Sequence, residues 1–301
     1  MKVVEHLAKA TKPLISYEII PPLRGGNVQD LMELIDALVR YDPPFIDTTS
    51  HGSEVSYEET AQGIQRRVKR KRPGTLGICA LIQNKYNIDA VPHILCLGFT
   101  REETEDFLIE LKYLGIDNVL AVRGDENGFK KPLQYGRTAN DYALDLVQQI
   151  GDMNQGRYLE RELLDAEPSD FCVGIAGYPE KHFEAPNRAT DIRNTKAKVD
   201  AGGGYIVTQL FFSNEDFLDF RDRCALAGID VPIIAGIMPI TSRKGMARLA
   251  DLAVGETGAG VDLAGAGLEV VWPDLVANIV IGMVFFLVAL ALFRKSLVAA
   301  R

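Results

Sequence analysis

The chain has 301 residues, of which 47% are hydrophobic and 25% are charged, and its formal net charge is −8. These values are typical of a globular protein with a substantial core, and the negative charge argues against nucleic acid as the main partner. The four cysteines are widely spaced and form no C-x-x-C pair, which argues against a disulfide framework and a zinc site.

Strand-like and helix-like segments alternate from Leu14 to about Ala253. Apolar β-type runs predict strands near residues 14–20, 45–49, 75–81, 117–122, 171–177, 204–210 and 231–237. The segments between them predict helices near residues 28–41, 55–71, 101–115, 139–151, 187–201, 214–227 and 242–252. This alternation predicts an α/β fold with a parallel sheet covered by helices. Seven units with room for an eighth favour a (β/α)8 TIM barrel, and no G-x-G-x-x-G follows a strand to support an open dinucleotide-binding sheet.

A basic run, Arg66–Arg72, carries six cationic residues in seven. It ends just before Pro73-Gly74, so we interpret it as the last turn of the predicted helix, where positive charge complements the helix dipole. A phosphate- or nucleic-acid-binding patch is the alternative interpretation.

The pattern changes after residues 1–253, which we assign to the barrel. Residues 254–274 are rich in Gly and Ala and are predicted as a linker, with Leu268–Trp272 as a candidate eighth strand. Leu275–Phe293 is a run of 19 uncharged residues, which as a helix would be about 28 Å long and close to the hydrocarbon thickness of a bilayer. The sequence therefore predicts an apolar C-terminal helix, a transmembrane candidate, after a last barrel unit that is atypical or missing.

Three interpretations of this C-terminal region stay open. The chain is a fusion or frameshifted product with an incomplete barrel, a tail-anchored enzyme, or a barrel whose eighth helix is apolar and buried. Arg294-Lys295 would prefer the cytoplasmic side of a membrane, but a barrel that used soluble cofactors would belong on that side too. One spanning helix cannot satisfy both, and this conflict favours the first interpretation.

Polar side chains stand where the predicted strands end. Glu18 precedes Pro21-Pro22, Thr49 and His51 follow the second strand, Arg123-Gly124-Asp125 follows the fourth, and Gln209 closes the sixth. In a barrel of this kind, chemistry gathers at the carboxyl ends of the strands. No cluster of His, Asp and Glu has the spacing of metal ligands, so we expect no metal.

Six motifs resemble, in order and spacing, those of the methylenetetrahydrofolate reductase family over about residues 12–250. They are Ser16-Tyr17-Glu18-Ile19-Ile20-Pro21-Pro22, Arg123-Gly124-Asp125, Gly177-Tyr178-Pro179-Glu180-Lys181-His182, Lys198-Val199-Asp200-Ala201-Gly202, Thr208-Gln209-Leu210-Phe211-Phe212 and Gly236-Ile237-Met238-Pro239-Ile240. The resemblance implies a barrel that holds FAD, which NADH or NADPH reduces. Ping-pong hydride transfer through FAD would then convert 5,10-methylenetetrahydrofolate to 5-methyltetrahydrofolate.

The resemblance also implies roles for three candidate residues. Glu18, whose apolar surroundings favour a protonated carboxyl, matches the general acid that opens the folate ring; a structural ion pair is the alternative. Asp125 matches a catalytic residue beside the flavin and the pterin, where its charge would tune the flavin potential; a loop cap is the alternative. Gln209 matches a folate ligand with one donor and one acceptor; satisfying a loop backbone is the alternative.

A larger set matches the FAD-binding positions of the family. It comprises Thr49, His93, Arg123, Gly124, Asp125, Tyr178, His182, Asp191, Asn194 and Lys198. Asp191, Asn194 and Lys198 share one helical face, with Lys198 suited to the pyrophosphate, and a polar surface face is the alternative. Ala197 stands where a basic residue is common in the family.

The resemblance ends near residue 250, because no Phe-Tyr-Thr-Leu-Asn-type strand follows and Arg243 replaces a Phe that stacks on the nicotinamide. Two rival functions therefore stay open. One is a degenerate or membrane-anchored barrel that binds flavin or pterin without turnover. The other is a lyase without flavin that uses Glu18 and Asp125 as an acid–base pair.

We expect a folate substrate and no nucleic-acid partner, and we expect a cytoplasmic protein because residues 1–12 lack the apolar core of a secretory signal. Membrane contact through residues 275–293 and a homo-oligomer are left open.

Overall fold

The computed structural model describes residues 1–60, 63–124, 131–160, 162–163, 165–211 and 213–238. Several sequence predictions lie outside these residues and stay predictions. They concern Asp125, Arg243, the helix at 242–252, the linker at 254–274 with Leu268–Trp272, and the apolar helix at 275–293.

Seven parallel strands form one sheet, and their order in the sheet is their order in the chain. They are β1 (Tyr17–Ile19), β2 (Phe45–Thr48), β5 (Asp89–Leu95), β6 (Asn118–Val122), β7 (Cys172–Gly177), β8 (Gly203–Thr208) and β9 (Ile233–Ile234). A separate antiparallel hairpin consists of β3 (Glu54–Thr60) and β4 (Gly63–Lys69). This arrangement confirms the predicted α/β class with a parallel sheet. Closure by an eighth strand stays a prediction.

Seven helices accompany these strands in the described part of the chain. They are α1 (Val3–Lys9), α2 (Val28–Val39), α3 (Leu76–Tyr86), α4 (Arg101–Tyr113), α5 (Ala143–Met153), α6 (Arg188–Asp200) and α7 (Asn214–Leu226). The helices predicted near residues 28–41, 101–115, 139–151, 187–201 and 214–227 are confirmed. Several begin at side-chain caps: Thr100 and Glu103, for example, form a capping box in which each side chain bonds the other's backbone.

Three predictions about the second and third units are wrong. Residues 75–81 belong to α3 and not to a strand, and the strand of the third unit is β5, which the sequence analysis missed. Residues 54–60 and 63–69 form the two strands of the hairpin and not a helix, so the basic run 66–72 is not a helix end. The hairpin reverses near Gly63, whose φ of +118° is a conformation that side-chain-bearing residues rarely adopt.

Two apolar clusters stabilise the sheet from its two sides. The larger one packs the helices against the sheet and includes Ile35, Leu111 and Ile150. The smaller one contains Phe45, Val91, Leu120, Cys172 and Tyr205 and includes Val3 of α1. Its largest member, Tyr205, is fully buried.

Helix α1 packs against the amino-terminal end of β6. The Val3 backbone N–H donates to Asn118 Oδ1 at 2.8 Å, and Asn118 Nδ2 donates to the Met1 carbonyl at 2.9 Å. Because parallel strands share one direction, this contact marks the end of the sheet opposite the carboxyl ends. The carboxyl ends are therefore where the predicted site residues are to be sought.

All four cysteines are buried free thiols. Burial raises the pKa of Cys79 and of Cys96 to about 12 and that of Cys224 to about 11. Burial also raises the pKa of Cys172.

Within the described ranges, no helix combines the length and the apolarity that a membrane span requires.

Candidate active site

Glu18 and Asp47 lie side by side at the carboxyl ends of β1 and β2, where their Cα atoms are partners in the register. The Glu18 side chain is 53% exposed. The surrounding protein nevertheless removes enough water from its carboxyl to raise the pKa, and the Asp47 charge adds to the rise, whereas His93 opposes it. The direction of this pKa shift is the one expected for a carboxyl in partly apolar surroundings, and the role of Glu18 as an acid stays a prediction.

His93 lies on β5 between these two carboxyls. Its Nε2 is 3.8 Å from Glu18 Oε2 and 3.7 Å from Asp47 Oδ1. The His93 Nε2 atom is buried and makes no hydrogen bond within the described residues. The sequence analysis selected His93 and Glu18 but missed Asp47, although a carboxyl inside the apolar strand Phe45–Thr48 is the signal that could have identified it.

Thr49 follows β2 directly. Its backbone N–H donates to the Ile19 carbonyl at 3.0 Å, which ties the end of β2 to β1. Its hydroxyl is buried and has no hydrogen-bond partner among the residues that the structure describes. A buried hydroxyl without a partner is costly, so this atom is suited to a ligand group.

A second polar group surrounds Arg123, the residue after β6. Arg123 Nη1 lies 2.6 Å from both carboxylate oxygens of Glu184, and the guanidinium lies over the Tyr142 ring, 5.2 Å from its centroid. Gly124 has a φ of +88°, and a Cβ there would lie 3.4 Å from Leu95 Cδ2. Glycine is therefore the residue that fits this turn.

His182 connects this group to helix α6. Its ring contacts the Tyr178 ring edge-on, with 4.6 Å between centroids, and the Glu184 backbone N–H donates to Nδ1 at 3.2 Å. Burial lowers the pKa of His182, with Lys198 and Arg123 adding to the fall and Glu184 and Asp191 opposing it. The neutral imidazole therefore carries its proton on Nε2.

Helix α6 presents Asp191 and Lys198 to the same region. The buried Asp191 accepts from the His182 backbone N–H at 3.2 Å, and Lys198 Nζ donates to the Ala176 carbonyl at 2.7 Å. Burial lowers the pKa of Lys198 to about 8, opposed by the Asp191 charge. Asn194 is exposed on this helix, so the structure joins two of the three residues on the predicted face.

Gln209 follows β8 and is exposed. Its backbone N–H donates to the Gly177 carbonyl at 2.7 Å, and its side-chain Oε1 accepts from the Leu210 N–H at 2.8 Å. The side chain thus satisfies the local backbone in this structure, and its role as a folate ligand stays a prediction.

No group of three or more His, Cys, Asp and Glu side chains suited to a metal ion occurs in the described ranges. The polar side chains near the strand ends instead include two neighbouring carboxyls, two histidines and two cations, namely Glu18, Asp47, His93, His182, Arg123 and Lys198. The fold and this arrangement define an α/β enzyme with its site at the carboxyl ends of a parallel sheet.

Comparison with known proteins identifies the family. The family described as Methylenetetrahydrofolate reductase matches residues 2–257. The chain is 32% identical over 239 residues to the 5,10-methylenetetrahydrofolate reductase of Salmonella typhimurium, covering 79% of this chain and 68% of that relative. It is 34% identical over 264 residues to methylenetetrahydrofolate reductase (NADH) 1 of Arabidopsis thaliana, covering 83% and 40%. The chain belongs to the methylenetetrahydrofolate reductase family and is an oxidoreductase of that type.

One solved structure supports the fold. It is an uncharacterized protein from Clostridium thermocellum that binds two copies of 5-methyl-5,6,7,8-tetrahydrofolic acid. The match covers 93% of this chain and 87% of that chain, with a TM-score of 0.50 and 14% sequence identity. At that identity the likeness concerns the fold alone.

Proposed function

We propose that this chain reduces 5,10-methylenetetrahydrofolate to 5-methyltetrahydrofolate with NADH or NADPH, by ping-pong hydride transfer through FAD. The observation that carries the proposal is the Glu18 carboxyl at the end of β1, with a raised pKa and an open side toward solvent. Opening the five-membered ring of the folate requires a proton on a ring nitrogen, and a carboxyl whose pKa is raised keeps its proton to higher pH and is suited to supply it.

The residues at the strand ends fit FAD. The buried Thr49 hydroxyl makes no hydrogen bond within the described residues and is available to a ligand, and His93 is proposed to contact FAD as well. The partly buried Lys198 is a cation suited to a pyrophosphate, and an anion there would offset the cost of its burial. The other residues proposed to hold FAD are Arg123, Gly124, Asp125, Tyr178, His182, Asp191 and Asn194.

When bound, FAD would accept hydride from NAD(P)H and return it to the folate. The chain's own residues would bind and orient FAD and the folate, and would supply the proton. Asp125 and Gln209 are proposed to contact the folate together with Glu18. The Arabidopsis relative is named as an NADH enzyme, so NADH is the reductant to test before NADPH. Cytoplasmic location and homo-oligomer formation stay predictions.

The test is the visible absorption spectrum of the purified protein under anaerobic conditions, after incubation with FAD. We expect a flavin spectrum that bleaches with NADH and recovers with methylenetetrahydrofolate. A protein that stays colourless would overturn the proposal and favour the lyase. A flavin that bleaches but never recovers would favour the barrel without turnover.

Glu18→Gln separates the two half-reactions. The amide keeps the size of the side chain but has no proton to give, so recovery with folate should slow by about 10²–10⁴-fold while bleaching with NADH is retained. Glu33→Gln on the exposed side of α2 is the matched control and should change neither rate. An undiminished recovery rate in Glu18→Gln would remove Glu18 from the acid role.

A further inference from the structure

Glu18, His93 and Asp47 form a triad that the sequence motifs do not account for. Each side chain comes from a different strand, β1, β5 or β2, and the strands are neighbours in the sheet. Because His93 Nε2 is 3.8 Å from one carboxyl and 3.7 Å from the other, its N–H can point to only one of them at a time. The side chains of His93 and Asp47 are only 11% and 12% exposed, so water screens their interaction poorly.

Three titratable groups at such distances bind protons as a unit. A proton on Glu18 or on His93 is stabilised by the negative charge of Asp47 in either position. Removing the Asp47 charge must therefore weaken the hold on that proton, whichever atom carries it. The direction of this effect does not depend on how the proton is shared between Glu18 and His93.

Among the described residues, the other titratable groups that interact with the triad are uncharged near neutral pH. The Tyr205 hydroxyl on β8 and the Cys79 thiol on α3 both interact electrostatically with Asp47. Burial raises the pKa of Cys79 to about 12 and that of Tyr205 well above its usual value, so both groups stay neutral. Among the described residues, the charges that act on Glu18 are therefore those of His93 and Asp47.

We propose that Glu18, His93 and Asp47 work as one proton-holding unit in which Asp47 is a positioning residue that keeps the last proton bound to higher pH. The inference rests on the proposed role of Glu18 as the acid. In that step the substrate C–N bond breaks, its electron pair stays on nitrogen, and this nitrogen takes the Glu18 proton. In this proposal Asp47 acts through the other two side chains and not by binding substrate or cofactor.

The test is nuclear magnetic resonance of cofactor-free protein with ¹³C-labelled histidine. The chain has four histidines, and His93→Gln assigns the resonance of His93 by its loss. In Asp47→Asn we expect the pH midpoint of that resonance to fall by at least about 0.7 units, the effect of one charge at about 4 Å across bulk water. Asp106→Asn, on the exposed side of α4, is the matched control and should leave it in place.

A second variant keeps the test decisive if Asp47→Asn does not fold. Glu18→Gln removes the other carboxyl at a half-exposed position, so it should fold and should also lower the His93 midpoint. Midpoints that stay unchanged in both variants, or that move equally in Asp106→Asn, would overturn the inference. The resonances of the other histidines report whether each variant is folded.

The same variants distinguish this inference from the proposed function. In the FAD-bound enzyme, Asp47→Asn should shift the basic limb of the pH–rate profile for flavin recovery with the folate to lower pH. The rate of bleaching by NADH should keep its pH dependence. A midpoint shift in a protein without folate turnover would leave the proton-holding unit standing and refute the reductase. Folate turnover without a midpoint shift would support the reductase and refute the proton-holding unit.

Discussion

Replacing Gly174 with alanine tests how tightly the small apolar cluster is built. Gly174 on β7 is the register partner of Tyr205 on β8. A Cβ at position 174 would lie 2.4 Å from Tyr205 Cζ and 2.7 Å from both Cε2 and the hydroxyl oxygen. Since favourable carbon contacts begin near about 3.5 Å, the ring would have to move by roughly 1 Å. It is fully buried, so it cannot swing into solvent.

The expected cost of Gly174→Ala is at the upper end of the usual range for overpacking, about 3 kcal/mol of the free energy of unfolding. That loss corresponds to a fall in Tm of roughly 6–12 °C for a domain of this approximate size. Urea unfolding of the cofactor-free protein, followed by circular dichroism, measures it.

The double variant Gly174→Ala/Tyr205→Val is the control for this prediction. Removing the ring makes room for the methyl group, so the two substitutions should be coupled by more than about 1 kcal/mol. A loss of less than about 0.5 kcal/mol in Gly174→Ala, or strict additivity in the double variant, would show that the ring is not confined as described.

Two further substitutions probe single interactions. Lys198→Met should raise the free energy of unfolding most below about pH 8, because there the ammonium of the folded protein is charged and poorly hydrated. The gain should decline between about pH 8 and 10.5, because in that range the lysine is neutral in the folded protein but still protonated in the unfolded chain. Urea unfolding at both ends of that window checks this, and a gain independent of pH would contradict it. Thr100→Ala removes the hydroxyl that accepts from the Glu103 N–H at 3.2 Å and should cost about 1 kcal/mol in the same assay; no measurable loss would mean that the cap contributes nothing.

The sequence predicted most of the parallel sheet because its strands are short apolar runs between helices. It failed where an apolar run allows two interpretations. Leu76–Tyr86 begins like a strand, but a short run of this kind cannot be told from a buried helix by periodicity alone, and here it continues to an αL cap at Asn87. The missed strand Asp89–Leu95 contains Pro92, a residue that cannot donate a hydrogen bond to a sheet and is uncommon inside strands.

The hairpin was missed for a different reason. Its alternation of side chains is real: Val55 pairs with Val68, and Tyr57 pairs with Arg66. The many charged residues hid this period of two, and the whole of β4 is exposed. An exposed two-stranded ribbon has little of the apolar alternation from which strands are usually predicted.

The candidate site was predictable as residue types at strand ends, but not as contacts. Glu18 could be selected because it lies near the end of an apolar run, and His93 because it matches a flavin-binding position of the family. The proximity of both side chains to Asp47 depends on the register of three strands. The spacing of Asn194 and Lys198 places them on one face of α6 but does not determine which is exposed. That difference follows from the packing of α6 against the sheet.

The burial of the four cysteines has a practical consequence for chemical labelling. A thiol reacts as its thiolate, and burial raises the pKa of every thiol in this chain, to between about 11 and 12 for Cys79, Cys96 and Cys224. The folded protein therefore offers almost no nucleophilic sulfur to a maleimide at neutral pH. A cysteine placed at a position such as Tyr113, which is 82% exposed, would be the preferred attachment point for a dye or spin label without removal of the native cysteines.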